Sequence, residues 1–280
     1  MKKLAIIVLV VLTITLFSAY GCVACARAQT DDSAVKLPVL MYHSVLKSKS
    51  GTYIVSPSQL EQDFRQLAEH GYTAVTSRQV IDYVDGKGNL PAKPIMITFD
   101  DGHYNNMYYA LPLLKKYNMV AILNVIGKFS DFTTSSGDVD NPNYSHVTWD
   151  EVAEMSNGGT MEIGNHTYNM HNYKPRFGIA QKCGETDEQY VAALKNDIGK
   201  LQKILFEHTG KQCRVLAYPF GKYSSLAEQT LVDEGFRLMF TCNEGVSTIY
   251  RGKPDSLYKL KRINRSGQYD TATVMNKIEK

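Results

Sequence analysis

Short apolar runs alternate with amphipathic stretches from Leu37 to Lys280, the pattern of a parallel α/β fold. Residues 39–42, 74–76, 95–99, 120–125, 161–163, 215–218, 238–241 and 259–263 read as strands. The helix starts between them are marked by side-chain chemistry. Ser56-Pro57-Ser58-Gln59 is a capping box with Pro at the first helical position. Thr76 with Gln79, Thr148 with Glu151 and Thr186 with Gln189 repeat that signature. Apolar residues then follow three or four apart, as in Leu60, Phe64 and Leu67 or Leu194, Ile198 and Leu201. Residues 130–145 lack a period and are rich in Ser, Asp, Asn and Thr, so they read as a surface loop near a strand end. No linker or repeat interrupts residues 37–280, which predicts one barrel-like α/β domain.

The first 28 residues differ from the rest. Lys2 and Lys3 precede an apolar run from Leu4 to Phe17, interrupted only by Thr13 and Thr15 and too short for a comfortable membrane span, followed by small residues. This is a secretory leader, and it predicts an extracytoplasmic protein. Its end reads as Ala26-Arg27-Ala28, a cleavage site before Gln29, or as Ala19-Tyr20-Gly21-Cys22, which resembles a lipobox with Cys22 as the lipid-modified residue; a retained anchor is the third reading. Residues 29–36 then form a short polar tether. Setting aside Lys2, Lys3 and Arg27 leaves 28 basic residues against 28 acidic ones. With no basic stripe left, a nucleic-acid or anionic-membrane partner has no electrostatic support, and membrane contact falls to the leader alone. Cys183, Cys213 and Cys242 remain, an odd number without CxxC spacing. That is neither a disulfide framework nor a thiolate zinc site, although one pair could be bridged.

Four strand ends carry the chemistry, and in parallel barrels the C-terminal strand ends share one face. At the first, Ile95 to Phe99 runs straight into Asp100-Asp101-Gly102. Two adjacent carboxylates are unfavourable unless a cation sits near them or one stays protonated. The alternative is a turn in which one Asp caps a helix starting near Tyr104. At the second, Glu162 to His171 holds His166 and His171 five residues apart. Five residues of helix turn through roughly 500°, leaving the side chains about 140° apart. A bend in a loop can instead bring both imidazoles to one point. Asp plus two His makes a mixed oxygen and nitrogen set that suits a divalent metal with coordination positions left open. The third end, Tyr218-Pro219-Phe220-Gly221, is a rigid turn able to point backbone N–H groups outward. The fourth, Met41-Tyr42-His43, ends in one histidine. Tyr104, Trp149, Tyr168 and Tyr173 offer rings for core packing or for stacking on a ligand, and His103 is close enough to the Asp pair to line the cleft.

Thr98-Phe99-Asp100-Asp101-Gly102, followed by His166-Thr167 and His171, resembles the first two motifs of the polysaccharide deacetylases, the NodB-homology group or carbohydrate esterase family 4. The resemblance runs from about Leu37 to the C-terminus. The Met-Tyr-His opening and the histidine spacing are most similar to the poly-N-acetylglucosamine deacetylase branch. It implies a distorted (β/α) barrel of seven parallel strands and one divalent ion, zinc or alternatively nickel, cobalt or manganese. By resemblance, Asp101, His166 and His171 are the metal ligands, Asp100 the general base, the Phe220 N–H an oxyanion donor and His43 the general acid. Ala217 stands where the family has a base-orienting arginine, which leaves that role to Arg262 or Arg214. No second histidine motif follows near the C-terminus, so the general acid rests on His43. The expected activity is metal-dependent N-deacetylation of an extracellular or cell-wall polysaccharide by a monomer. The alternatives are an O-acetyl esterase with the same site, or a catalytically silent carbohydrate-binding relative.

Overall fold

The computed structural model describes residues 33–137 and 139–280. The leader, the cleavage site after Ala28 and Cys22 lie outside the described residues. In chain order the strands are β1 (Ala34–Leu37), β2 (Val39–Tyr42), β3 (Ser44–Val45), β4 (Ile54–Val55), β5 (Thr73–Ala74), β6 (Pro94–Phe99), β7 (Ala121–Val125), β8 (Met161–Asn165), β9 (Val215–Ala217), β10 (Leu238–Glu244), β11 (Ser247–Tyr250) and β12 (Leu260–Asn264). The α-helices are α1 (Pro57–Glu69), α2 (Ser77–Val84), α3 (Leu111–Lys116), α4 (Gly127–Ser136), α5 (Trp149–Gly158), α6 (Asp187–Thr209), α7 (Ser225–Asp233) and α8 (Thr271–Ile278), with a π-helical turn at Asn106–Ala110.

Seven strands close an all-parallel barrel in the order β2, β12, β10, β9, β8, β7, β6, with β2 pairing back onto β6. β5 lies along the start of β6. Alternation along each strand sorts the side chains into two cores. Val39, Met96, Ile122, Leu238, Phe240 and Leu260 form one cluster with Val80, Ile81 and Val84 of α2. That helix closes the N-terminal end of the barrel, where Glu162 accepts from the Ser77 N–H at 2.8 Å and its hydroxyl at 3.1 Å. Leu40, Ile97, Phe99, Leu123, Leu216 and Ile263 pack in the other cluster against Leu60, Phe64, Leu194, Ile198 and Leu201 of α1 and α6. Burial of each such side chain contributes roughly 1.5–3 kcal/mol.

All four capping boxes form, at Ser56, Thr76, Thr148 and Thr186. Each satisfies helix N–H groups that would otherwise lack partners, at roughly 1 kcal/mol per cap. The expected loop at 130–145 is corrected: its first part belongs to α4, where Ser130 and Thr133 face inward. Polar composition hid this helix, whose small hydroxyl side chains fit a tight packing face. The tether is corrected at its end, because β1 begins at Ala34 and pairs with β11. The two-residue strands β3 and β4 are too short for alternation to be legible, and β11, Ser247–Tyr250, lacks an apolar run. Cys183, Cys213 and Cys242 are all free thiols, so no pair of them is bridged.

An ion pair absent from the sequence-based expectations braces the outside of the barrel. Asp63 on α1 accepts from Arg265 Nε at 2.6 Å, Tyr42 Oη at 3.0 Å and Thr271 Oγ1 at 2.6 Å. Asp63 and Arg265 are both buried, and the cluster ties α1, β2, the end of β12 and α8 together. Asp63→Ala would strand a buried guanidinium, so the free energy of unfolding should drop by about 3–5 kcal/mol in urea denaturation. A loss below about 1 kcal/mol would show that the pair is dispensable.

Candidate active site

The strand ends converge as a cup at the C-terminal face of the barrel. β6 ends with Asp100 turned inward and almost fully buried. Asp101, the next residue, has φ 73° and Gly102 has φ 71°, so the chain passes through two left-handed residues in a row. That reversal sends the two carboxylates to different surroundings. A side chain at Gly102 would press on Val125 as well as suffer the backbone strain.

Asp100 is gripped from two strands. Arg262 on β12 donates to Oδ1 at 2.8 Å and to Oδ2 at 2.7 Å, a bidentate pair, while Asn124 on β7 donates to Oδ1 at 2.7 Å. Arg262 is itself fully buried, with its guanidinium 5.5 Å from the Phe240 ring centre and bonded to Thr98 Oγ1 and the Thr241 carbonyl. Burial alone would raise the Asp100 pKa, but the charges of Arg262 and His166 and the Arg262 hydrogen bonds hold it well below the usual carboxylate range. Asn124 fits because its neighbour in register is Gly164, where a Cβ would lie 2.0 Å from Asn124 Oδ1.

Asp101 faces imidazoles instead. Its Oδ1 lies 3.6 Å from His166 Nε2 and 3.5 Å from His171 Nε2, and its Oδ2 lies 3.6 Å from His103 Nε2. Burial opposes its ionisation, yet His103, His43 and His166 together keep its pKa low. His166 follows the last residue of β8, and its Nδ1–H donates to the Ala217 carbonyl at 2.8 Å. That bond fixes the tautomer and leaves the Nε2 lone pair facing Asp101. Burial pushes its pKa down to about 4, so the ring is neutral at physiological pH. The bend that returns His171 to His166 has an unforeseen clamp. Asp197 on α6 accepts from the Tyr168 N–H at 2.8 Å and the Asn169 N–H at 2.9 Å, and Thr167 has φ 71°.

The ligand atoms of Asp101, His166 and His171 lie within 4.8 Å of one another, the single such cluster among the described residues. Asp101 Oδ1 is buried and has no hydrogen-bond partner, although a charged oxygen in that position requires one. An unpartnered anionic oxygen facing two imidazole nitrogens fits a divalent cation and leaves coordination positions open.

His43 follows β2 and packs on Tyr53, with ring centres 4.7 Å apart. Its segment is held by Asn105, which accepts from the Val45 N–H and donates to Ser44 Oγ, each at 2.9 Å. Burial lowers the His43 pKa, while the nearby charges of Asp100 and Asp101 act to raise it. Phe220 stands at φ 56° in the turn Pro219–Gly221, its ring 4.3 Å from His171 and stacked against Tyr173 and Phe177. Tyr173 is 73% exposed, so this aromatic wall opens to solvent. Trp149 stacks instead on His208, and Tyr168 packs under Lys200, away from the wall. Arg214 is excluded from the cup: it precedes β9 and lines a cavity of about 580 Å³ with Ser77 and Glu162 at the other end of the barrel. Asn124 was the one missed site residue with a sequence signal, a lone polar residue inside the apolar run from Ala121 to Val125.

Fold and cup together define a parallel barrel that gathers carboxylates and imidazoles at its C-terminal strand ends. The chain belongs to the polysaccharide deacetylase family, whose model matches residues 87–239. It is thus a hydrolase of the class acting on carbon–nitrogen bonds other than peptide bonds. The poly-beta-1,6-N-acetyl-D-glucosamine N-deacetylase of Staphylococcus aureus strain N315 is 28% identical over 269 residues, covering 88% of each chain. Among solved structures, IcaB from Ammonifex degensii matches with a TM-score of 0.70 and 26% identity over 88% of this chain and 97% of its own. The deacetylase PplD of Streptococcus pyogenes shares the fold, with a TM-score of 0.71 and 22% identity over 89% of this chain and all of its own.

His146 stacks on His103 with ring centres 5.0 Å apart, and burial, then the neighbouring His103, pushes its pKa down to about 4. In the unfolded chain such a ring takes up its proton near pH 6.5. Between those values the unfolded chain binds more protons than the folded one. The stability of the metal-free protein should therefore be full above about pH 6.5 and fall steadily toward about pH 4. Unfolding midpoints across that range should show a shallower slope for His146→Gln than for the wild type. Equal slopes would contradict the assignment.

Proposed function

We propose that this protein is an exported, metal-dependent N-deacetylase of an extracellular polysaccharide of the poly-N-acetylglucosamine type. The observation that carries the reading is the division of labour at one strand end. Asp101 shares a focus with His166 and His171, while Asp100, its immediate neighbour, is held as an anion by Arg262. The names of the similar proteins support the substrate class, and the open aromatic wall of Tyr173, Phe177 and Phe220 beside His171 suits the faces of sugar rings. Export rests on the leader, which lies outside the described residues. Among those residues no helix is long and apolar enough to cross a membrane.

Amide hydrolysis needs a more electrophilic carbonyl, an activated water and a protonated leaving amine. A divalent ion such as Zn²⁺, held by Asp101, His166 and His171, would supply Lewis acidity for the first and lower the pKa of water for the second. Two neutral imidazoles and one carboxylate leave such a site with a net positive charge. Asp100 removes the proton from the attacking water. Arg262 fixes the plane of its carboxylate and keeps it ionised, so the base is available at neutral pH. The Phe220 N–H donates to the oxyanion that develops on the acetyl carbonyl, a contact worth on the order of 3 kcal/mol. His43 delivers a proton to the departing amine. Burial lowers its pKa, and the charges of the two aspartates act in the opposite direction, toward the protonated form that this role requires.

Asp101→Ala and His166→Ala should lose zinc binding and acetate release together, whereas Asp100→Asn should keep zinc and lose at least about 100-fold in kcat on N-acetylglucosamine oligomers. The three variants are compared by metal content after dialysis and by acetate released. Near-normal turnover by Asp100→Asn would remove it from the role of base.

A further inference from the structure

We infer that His103 is a positioning residue for Asp101: its imidazole faces the carboxylate oxygen turned away from His166 and His171, and so decides which oxygen the triad receives. The inference rests on the reading of Asp101, His166 and His171 as a metal-binding triad. An aspartate side chain has a broad, roughly two-fold preference about its last bond, so nothing in the residue itself selects one oxygen over the other. Here the two oxygens have separate surroundings. Oδ1 meets only the triad imidazoles and lacks a hydrogen-bond partner, whereas Oδ2 lies 3.6 Å from His103 Nε2. That is longer than a hydrogen bond, and it biases the carboxylate through the direction of the ring N–H. Where a carboxylate ligates a metal, its remaining oxygen is generally held by a neighbouring donor that sets the ligand's orientation.

His103 is itself held in place. The Tyr104 N–H donates to the Ser145 carbonyl and the Val147 N–H to the Gly102 carbonyl, each at 2.9 Å, so residues 145–147 strap antiparallel across the turn. The strap stacks the His146 ring on His103, and the Phe129 ring of α4 backs His146 at 4.7 Å. A side chain immediately after a left-handed Asp-Gly pair would otherwise have no fixed direction. Helix α4 and the strap supply one, and it sets His103 Nε2 3.6 Å from Asp101 Oδ2.

The test titrates Zn²⁺ into the metal-free full chain in competition with a chromophoric chelator. His103→Ala should bind Zn²⁺ about 10–100-fold more weakly, and His103→Gln, which places an amide donor near the same point, should recover most of that loss. The unfolding midpoint of the metal-free protein should fall by the same small amount in His103→Ala and His103→Gln, since both lose the ring packed on His146. Wild-type affinity in His103→Ala, with binding lost in Asp101→Ala, would overturn the inference and leave the triad standing. Wild-type affinity in Asp101→Ala would overturn the triad and the inference with it. Weaker binding in His103→Ala that is not recovered by His103→Gln would assign the ring to packing and overturn the positioning role.

Discussion

Adjacent carboxylates at the end of a buried strand repel one another and lose their hydration, and each effect favours protonation. On the proposed assignment, a protonated Asp100 would be no base, and a protonated Asp101 no ligand. The fold resolves the conflict by rotation of the chain rather than by distance. Asp100 keeps the inward direction that strand alternation gives it and meets a guanidinium from β12. Asp101 leaves the strand with positive φ and meets imidazoles. Two neighbouring residues thereby keep their charge by different means.

The remaining architecture serves that separation. Closing β2 onto β6 brings His43 and Arg262 to the same rim as the aspartates, although residues 43 and 262 stand near opposite ends of the chain. Gly164 gives up its side chain so that Asn124 can reach Asp100. Asp197, from a helix outside the barrel, holds the backbone between the two histidines and so sets the bend that makes them neighbours. Ala217 contributes through its carbonyl, which orients His166, rather than through a side chain.

Much of this was legible in the sequence because it is local. Strand ends, capping boxes and the Asp-Asp-Gly turn each depend on a few consecutive residues, and the five-residue histidine spacing excluded a helix by arithmetic alone. The choice between Arg262 and Arg214 was not local. Arg262 lies within β12 and Arg214 just before β9, and only the pairing of β12 with β2 and β10 shows that Arg262 projects into the cup while Arg214 lies at the far end. Asp197 and Asn105 were unreadable for the same reason: they act on backbone atoms more than twenty residues away. Helix α4 was missed because its hydroxyl side chains imitate a loop, and its value lies in the close packing they permit.

The account stands on three side chains sharing one ion. The most direct measurement is a crystal structure of the zinc-loaded protein with anomalous data at the zinc edge. One ion should appear at roughly 2.0–2.2 Å from Asp101 Oδ1, His166 Nε2 and His171 Nε2, with Asp100 still paired to Arg262 and outside the coordination sphere. A zinc bound elsewhere, or one held by Asp100 with Asp101 turned away, would contradict it.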